Sequence, residues 1–184
     1  MDDWTNYLDQ GMTVDIVYMD FMKAFDKVSH DHLLHKLQSL GIHHKIILWL
    51  QDFLNDRSQA VLYNNCISSS AEVRSGVPQG TVVGPSSFIT FVNDLPDEVS
   101  SMIYMFADDT KLYKRISKNA DRQQLQSDID NLVTWSTKWK LLFNLDKCNV
   151  MTLGHPLDVS DYTMTQNDYQ CTEILPEKRL GNYD

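Results

Sequence analysis

The 184-residue chain has only three cysteines, and they are widely spaced: Cys66, Cys148 and Cys171. Because no two of them form a Cys-x-x-Cys pair, neither a zinc ribbon nor a disulfide framework is expected. The sequence also has no apolar run of membrane-spanning length, and its acidic start lacks the apolar segment of a secretory signal. These absences predict an intracellular, soluble protein with no membrane partner, and they do not distinguish the nucleus from the cytoplasm.

Positive charge is also scarce. The chain has 16 Lys and Arg against 25 Asp and Glu, which gives a formal net charge of −9. Lys and Arg neutralise phosphates in most nucleic-acid binders, so this balance argues against nucleic-acid binding by the chain alone. The basic side chains form one cluster, which either meets phosphates or makes a solvated face: Lys111, Lys114, Arg115, Lys118 and Arg122.

Apolar residues make up 42% of the chain, enough for the core of one domain. No internal repeat or low-complexity linker divides it. We therefore expect a single domain over residues 1–184. Apolar periodicity predicts helices over about 31–40, 44–54, 86–93 and 121–139. Strands are predicted at 15–19, and at 58–63 and 67–73 around a turn at Asn64-Asn65.

An acidic pair stands between two β-prone runs. The run over 101–106 leads to Asp108 and Asp109, and the second run follows at 110–113. This pattern predicts a hairpin with two carboxylates at its tip. The pair has two interpretations: Asp is a common turn former, but adjacent carboxylates repel each other unless a cation shares their site.

A second strand far upstream also ends in an acid. The apolar run from Val14 to Met19 leads to Asp20, and Phe25 and Asp26 follow after a short turn. If the two strands lie side by side, Asp20 and Asp108 converge on an oxygen-rich site. Mg²⁺ prefers such ligands and typically uses one or two carboxylates plus substrate phosphates. Two such ions about 3.5–4 Å apart can clamp the oxygens of a phosphoryl transfer.

A glycine- and proline-rich loop lies between these two acidic sites. Its sequence, Ser75-Gly-Val-Pro-Gln-Gly-Thr-Val-Val-Gly-Pro85, leads into a predicted helix. Glycines let a backbone approach a ligand closely, and a helix N-terminus favours anions. Taken alone, the loop is equally well explained as an irregular connector.

Three motifs in this order resemble those of a known family. They are Asp20-Phe-Met-Lys-Ala-Phe-Asp26, the loop over 75–85, and Phe106-Ala-Asp-Asp109. Together they resemble the palm motifs of reverse transcriptases from non-LTR (LINE-type, jockey-like) retrotransposons. The similarity continues through Trp139-Lys-Leu-Leu-Phe-Asn-Leu-Asp-Lys147 and covers nearly the whole chain.

The resemblance implies an RNA-directed DNA polymerase, a nucleotidyltransferase of a transposable element. Such an enzyme adds deoxynucleotides to a primer 3′ hydroxyl and releases pyrophosphate. Its cofactors would be two Mg²⁺ ions, with Mn²⁺ as an alternative. Asp20 and Asp108 would hold them, and the backbone carbonyl of Phe21 would complete one shell. Asp109 would support the hairpin and its charge, and Lys147 would protonate or neutralise the leaving pyrophosphate.

The resemblance also implies a site for the incoming nucleotide. Phe25 occupies the position where the family places an aromatic ring against the sugar, and that ring would exclude a 2′ hydroxyl. The loop over 75–85 would lie under the template and the nucleotide, with Gln79 and Gly80 near the nucleotide. Asp26 is interpreted as structural.

The implied fold is the α+β fold of a polymerase palm, an antiparallel sheet with helices packed on one face. The motif region would span about 14–154, and a primer-grip-like tail about 160–184, around Arg179-Leu-Gly181. Relatives add fingers, a thumb and usually an endonuclease, so we expect a partial palm with these parts truncated. The partners would be an RNA template, a DNA primer and deoxynucleoside triphosphates.

Two other functions stay open. The chain is alternatively an inactive remnant with a scaffold or interaction role. Ser86 and Ser87 stand where many relatives have apolar residues, and hydroxyls on a core face weaken packing unless they find partners. A two-metal nuclease would share the carboxylates but would leave the Pro-Gln-Gly loop unexplained.

Overall fold

The structure is a computed structural model that describes residues 2–154, 162–166 and 169–174. The predicted primer grip at Arg179-Leu-Gly181 lies outside these residues. The described helices are α1 (Asp2–Asp9), α2 (Ala24–Lys27), α3 (His30–Ser39), α4 (His44–Leu54), α5 (Val83–Val92) and α6 (Asn119–Trp139). The described strands are β1 (Thr13–Asp20), β2 (Ser58–Gln59), β3 (Leu62–Tyr63), β4 (Cys66–Ile67), β5 (Ala71–Glu72), β6 (Met102–Phe106), β7 (Asp109–Ile116), β8 (Asn149–Leu153), β9 (Tyr162–Gln166) and β10 (Tyr169–Ile174).

The chain divides into two compact units. The first is drawn from Met1–Met22, Asp94–Lys138 and Leu142–Asp184, and the second from Lys23–Asn93 and Trp139–Leu141. The first unit therefore contains the sheet, α1 and nearly all of α6. The second contains α2 to α5 and the short strands β2 to β5.

The first unit is built on a four-stranded antiparallel sheet in the order β6-β7-β1-β8. Strand β1 has a neighbour on each side, and its register with β7 runs from Thr13 opposite Ile116 to Asp20 opposite Asp109. All but two of its side chains are buried. A strand that is buried on both faces has a nearly continuous apolar sequence, and this pattern is what predicted β1.

Helices cover both sides of this sheet. Val14, Ile16 and Tyr113 form a buried cluster on one side, and Trp4 and Tyr7 of α1 pack against it. On the opposite side, the α6 residue Arg122 lies 3.9 Å from the buried carboxylate of Asp15. The predictions included no helix over the first thirteen residues, so α1 is an addition to the expected architecture.

Helix α6 is the longest element. Its start is fixed by Asp121, whose carboxylate accepts hydrogen bonds from the backbone N–H groups of Ser117 and Lys118. An acid at this position satisfies donors that the first turn leaves without helical partners. One stripe of the helix is buried, and the apolar spacing predicts four of its members: Leu125, Ile129, Leu132 and Val133. Trp139, predicted for the same stripe, is half-buried, and Trp135 is buried without having been predicted.

The second unit places α3 against α4 and α5. Lys36 of α3 is buried, and its ammonium group donates to the Phe91 carbonyl at 2.6 Å. The same nitrogen lies 4.0 Å from the Trp139 ring centroid. A positive charge at the last turn of α5 is favourable, because helix carbonyls converge there. The Ser86 hydroxyl is exposed and bonds the Val82 carbonyl, whereas Ser87 is buried.

A hairpin extends this unit, with β2 paired to β5 and β3 paired to β4. Asn64 and Asn65 form its two-residue turn, with φ of 46° and 61°. Asn tolerates such left-handed backbone angles, which a tight hairpin turn requires. The predicted turn at these residues is confirmed.

The mixed α and β architecture with an antiparallel sheet confirms the predicted fold class. Within the described part of the chain, no helix combines the length and the hydropathy that a bilayer crossing requires.

Candidate active site

Three carboxylates meet at one end of the sheet. Asp20 is the last residue of β1 and lies opposite Asp109, the first residue of β7. Phe106 pairs with Asp109, so Ala107 and Asp108 form the two-residue turn between β6 and β7. Ala107 has a φ of 54°, which lets the turn close tightly. We call Asp20, Asp108 and Asp109 the carboxylate cluster.

Lys147 lies at this cluster, at the end of a single 3₁₀ turn over Leu145–Lys147. Two backbone bonds hold the segment before it against the end of β1. The Asn144 N–H donates to the Asp20 carbonyl, and the Met22 N–H donates to the Leu142 carbonyl, both at 2.8 Å. The Lys147 ammonium nitrogen is 2.8 Å from Asp20 Oδ2.

The charge of Lys147 responds to all three carboxylates. The contact with the Asp20 side chain raises the pKa of Lys147 above its ordinary 10.5, and the negative charges of Asp108 and Asp109 act in the same direction. All three carboxylates therefore stabilise the charge of the same cation, the Lys147 ammonium. Lys147 itself stays protonated throughout the neutral pH range.

The cluster suits a divalent cation in one respect. Asp20 Oδ2 is buried, and no described donor is aligned with it as a hydrogen bond requires, although the Lys147 ammonium lies within ion-pair distance. Among the described residues, no three His, Cys, Asp or Glu side chains form a complete metal-binding group. Mg²⁺ needs fewer, because waters and substrate phosphates supply its other ligands. The residues present thus fit a Mg²⁺ site that substrate completes.

Phe21, the other predicted metal contact, follows Asp20 directly. Its side chain is buried and stacks on Phe143 with ring centroids 4.5 Å apart. Phe21 and Phe143 also form an isolated backbone bridge. The two hydrogen bonds flanking this bridge use the Asp20 and Leu142 carbonyls rather than that of Phe21.

The glycine-rich loop is joined to the turn after Asp20. The Gly76 N–H donates to the Val28 carbonyl at 2.8 Å, and the Val77 N–H to the Phe25 carbonyl at 2.7 Å. Gly76 has a φ of 91°, and a Cβ there would lie 2.8 Å from the Asp26 Cα. Only glycine allows this close approach of two backbones.

The predicted nucleotide residues all belong to the second unit. The Gln79 amide lies 3.4 Å from Asp26 Oδ1, and Gly80 is exposed with a φ of 77°. The Phe25 ring is partly buried and stacks on Phe88 at 4.7 Å. The structure thus brings Phe25 and Gln79 into one bonded segment. The carboxylate cluster belongs to the first unit.

The sequence analysis did not predict two features of the first unit. Lys111 was grouped with the other basic residues, but it lines an open cleft of about 400 Å³ together with Tyr18, Asp20, Asp109 and Lys147. The alternation of side chains along β7 could have indicated that Lys111 lies near the carboxylates. Lys111 is two residues from Asp109 and is therefore on the same face of the strand.

The other feature is Asp15, a fully buried carboxylate in the middle of β1. It accepts hydrogen bonds from the Tyr162 hydroxyl at 2.6 Å and the Thr152 hydroxyl at 2.7 Å. This network ties β9 and β8 to the strand that carries Asp20.

An antiparallel sheet whose central strand and adjacent hairpin both end in carboxylates defines the class of a polymerase palm. Solved structures agree with this fold. Apo telomerase from Candida tropicalis superposes with a TM-score of 0.60, covering 88% of this chain and 35% of that chain. The sequences are 13% identical, so the likeness is one of fold.

The particular family follows from the sequence. Residues 6–175 match the family described as Reverse transcriptase (RNA-dependent DNA polymerase). The chain belongs to this family, and the jockey-like resemblance is confirmed by curated relatives. It is 33% identical over 147 residues to the RNA-directed DNA polymerase from mobile element jockey of Drosophila melanogaster. It is 32% identical over 146 residues to the probable RNA-directed DNA polymerase from transposon BS of the same organism.

These matches cover most of this chain but only a small part of each relative. The jockey alignment takes in 75% of this chain but 16% of the jockey protein, and the BS alignment takes in 71% and 15%. The chain therefore spans about a sixth of the length of the curated relatives that it matches.

Proposed function

We propose that this chain is the palm of an RNA-directed DNA polymerase of a non-LTR retrotransposon, which adds deoxynucleotides to a primer 3′ hydroxyl. The observation that carries the proposal is the convergence of Asp20, Asp108 and Asp109 on one cationic group, the Lys147 ammonium. Side chains from two strands that are far apart in the sequence meet there. Aspartates that served only to form a turn would not need a cationic partner.

Asp20 and Asp108 would hold divalent cations, Mg²⁺ or Mn²⁺, with the Phe21 carbonyl as a further ligand. Bound at such a site, two Mg²⁺ ions lower the pKa of the attacking hydroxyl and neutralise the leaving phosphates. The buried, unaligned Oδ2 of Asp20 supports its role as a ligand. Asp109 contributes its charge and closes the hairpin that positions Asp108.

Lys147 acts on the leaving group. Its ammonium group is charged at neutral pH, and the contact with Asp20 raises its pKa further, which favours neutralising pyrophosphate over protonating it. Its side chain is 65% exposed, which leaves room to turn from Asp20 towards an incoming phosphate.

Phe25, Gln79 and Gly80 select and hold the incoming nucleotide. The stack on Phe88 fixes the Phe25 ring, and the bonds of the loop to Phe25 and Val28 fix the backbone before Gln79. A preorganised ring excludes a 2′ hydroxyl at little entropic cost. The RNA template, the primer, and fingers, thumb and endonuclease segments of the larger protein would complete the enzyme.

A segment exchange tests the proposal. This chain would replace the matching segment of the Drosophila melanogaster jockey polymerase, and extension of a DNA primer on an RNA template would be measured with Mg²⁺. We expect template-dependent extension, reduced roughly a hundredfold or more by Asp108→Asn, since that change removes a group that stabilises developing charge. Asp97→Asn is the matched control, because Asp97 is an exposed acid outside the cluster.

Two outcomes would contradict the proposal. A folded exchange protein without extension activity would favour the alternative of an inactive remnant with a scaffold role. Metal-dependent cleavage of DNA in place of extension would favour a nuclease.

A further inference from the structure

The carboxylate cluster has a second cation beside it. Lys111 lines the same cleft as Asp20, Asp109 and Lys147. Lys111 is opposite Tyr18 in the β1–β7 register, just as Asp109 is opposite Asp20. Because side chains alternate between faces along a strand, Lys111 and Asp109 share one face, about 7 Å apart along β7.

The two cations of the cleft have different partners. Lys147 is paired with Asp20 at 2.8 Å. The Lys111 nitrogen lies 5.2 Å from the centroid of the Tyr18 ring, and among the described residues no carboxylate forms an ion pair with it. An aromatic ring holds an ammonium group in place without neutralising its charge. Lys111 is therefore oriented into the cleft with its charge available to an anion.

The charge balance of the cleft indicates which anion. Two carboxylates, Asp20 and Asp109, and two ammonium groups line the cleft, so its lining carries little net charge until cations bind to the carboxylates. Once they are bound, Lys111 adds a fixed positive charge at the edge of the cluster.

We infer that Lys111 is a phosphate-binding residue of the cleft, contacting either the primer strand or the triphosphate of the nucleotide. This inference rests on the proposed function, because it places nucleic acid or nucleotide at the carboxylate cluster. The inference gives Lys111 a role that the other residues of the basic cluster do not share. Lys114 is on the opposite face of β7, and its charge instead lowers the pKa of Asp121, where hydrogen bonding from Ser117 is the main cause.

Fluorescence anisotropy of the jockey exchange protein tests the inference. The two probes are a labelled DNA primer annealed to an RNA template, and labelled deoxyadenosine triphosphate, each with Mg²⁺ at low and rising salt. The variant is Lys111→Gln. The matched control is Lys114→Gln, the same change on the same strand but on the other face. Thermal unfolding of each variant verifies that the fold is kept.

We expect Lys111→Gln to weaken binding of one probe, and Lys111→Arg to restore it, since both cations bind phosphate. Loss confined to the hybrid assigns the contact to the primer strand, and the slope of log affinity against log salt should then fall by about 0.7–0.9. Loss confined to the nucleotide assigns it to the triphosphate. Lys114→Gln should keep the parent slope and affinity.

Three results would overturn the inference. They are parent-like binding of both probes by Lys111→Gln, an equal loss in Lys114→Gln, and no rescue by Lys111→Arg. If Asp108→Asn at the same time removes the Mg²⁺-dependent part of nucleotide binding, the proposed function stands without Lys111. A folded exchange protein that binds neither probe contradicts both the inference and the proposed function.

Discussion

The ammonium group of Lys147 lies 2.8 Å from Asp20 Oδ2, the buried oxygen that a divalent cation would use. The two cations would therefore compete for one ligand. In the chain without substrate, Lys147 balances part of the charge of the carboxylate cluster. A metal ion bound at the cluster would free the Lys147 side chain, which is 65% exposed, to contact a leaving phosphate.

This competition predicts that Lys147→Gln strengthens binding of Mn²⁺ to the chain. Removing a unit charge about 4 Å from a divalent ion should raise affinity roughly thirtyfold in a water-like medium, because the repulsion there is about 2 kcal/mol. Isothermal titration with Mn²⁺ measures it, with Lys45→Gln on the exposed side of α4 as the control. An Asp20→Asn and Asp108→Asn double variant should lose the binding. Unchanged affinity in Lys147→Gln would show that the ammonium does not occupy the ligand position.

Sugar selection should depend on Phe25. In the jockey exchange protein, Phe25→Val should raise the ratio of ribonucleotide to deoxynucleotide incorporation, because the ring no longer blocks the 2′ hydroxyl. Phe25→Tyr keeps the ring and its stack on Phe88, so it should behave like the parent. Single-nucleotide incorporation kinetics give both ratios. A ratio unchanged in Phe25→Val would remove Phe25 from the nucleotide site.

Asp128 should stabilise the fold in a pH-dependent way. Burial raises the pKa of this carboxyl, but hydrogen bonds from Ser101 and Ser100 outweigh burial and hold it below its ordinary 3.8. A lowered pKa contributes stability above the unfolded-state value, and that stability is lost as pH falls through the folded-state value. Asp128→Asn should therefore cost about 1–3 kcal/mol at pH 7.

Urea denaturation across pH tests this prediction. The difference between the parent and Asp128→Asn should shrink as pH drops below about 4, near the unfolded-state pKa of Asp. Asp130→Asn, on the exposed side of the same helix, should stay within about 0.5 kcal/mol of the parent. A cost that does not change with pH would mean that the charge of Asp128 is not what stabilises the start of β6.

The buried network around Asp15 should contribute to stability in the same range. Tyr162→Phe removes a hydroxyl that donates to a charged carboxylate, and should cost about 1.5–3 kcal/mol. For a chain of this size each kcal/mol lowers Tm by about 2–4 °C. Tyr63→Phe is the control, since Tyr63 is 74% exposed on the hairpin. Equal Tm values for the two variants would show that Asp15 does not need this donor.

The 184-residue chain by itself should not extend a primer. Positioning supplies much of the rate in phosphoryl transfer, and small misplacements cost orders of magnitude. A net charge of −9 also repels the phosphates of a primer and template. Primer extension on an RNA template with Mg²⁺ and four deoxynucleotides is the assay. Template-dependent product that disappears in Asp108→Ala would contradict the prediction and support the carboxylate cluster as the site.

Local patterns predicted much of the fold. Helix α4 has the predicted bounds, because Ile47, Leu50 and Leu54 repeat at helical spacing and are all buried. The hairpin turn at Asn64-Asn65 was equally clear, since few residues other than Asn and Gly accept its backbone angles. The predicted convergence of Asp20 with Asp108 needed one further assumption, that the two strands are neighbours, and the structure pairs β1 with β7.

Long-range partners explain what the sequence analysis missed. Asp128 is an acidic residue on α6, yet it is buried, because the N–H groups of Ser100 and Ser101 donate to its carboxylate. No pattern near Asp128 in the sequence indicates those donors. Likewise, only Trp4 and Tyr7 indicate the inner face of α1, and their burial depends on packing against Tyr113 of β7, which is far away in the sequence.

The central position of β1 has a consequence for synthesis. Asp15 acquires its partner Thr152 only after another 137 residues have been synthesised. At about 5–20 residues per second this interval lasts roughly 7–27 s. Until β8 is made, the edge of β1 that pairs with it stays open to other nascent chains. The strand that bears Asp20 is thus a segment on which a cell's chaperones have time to act.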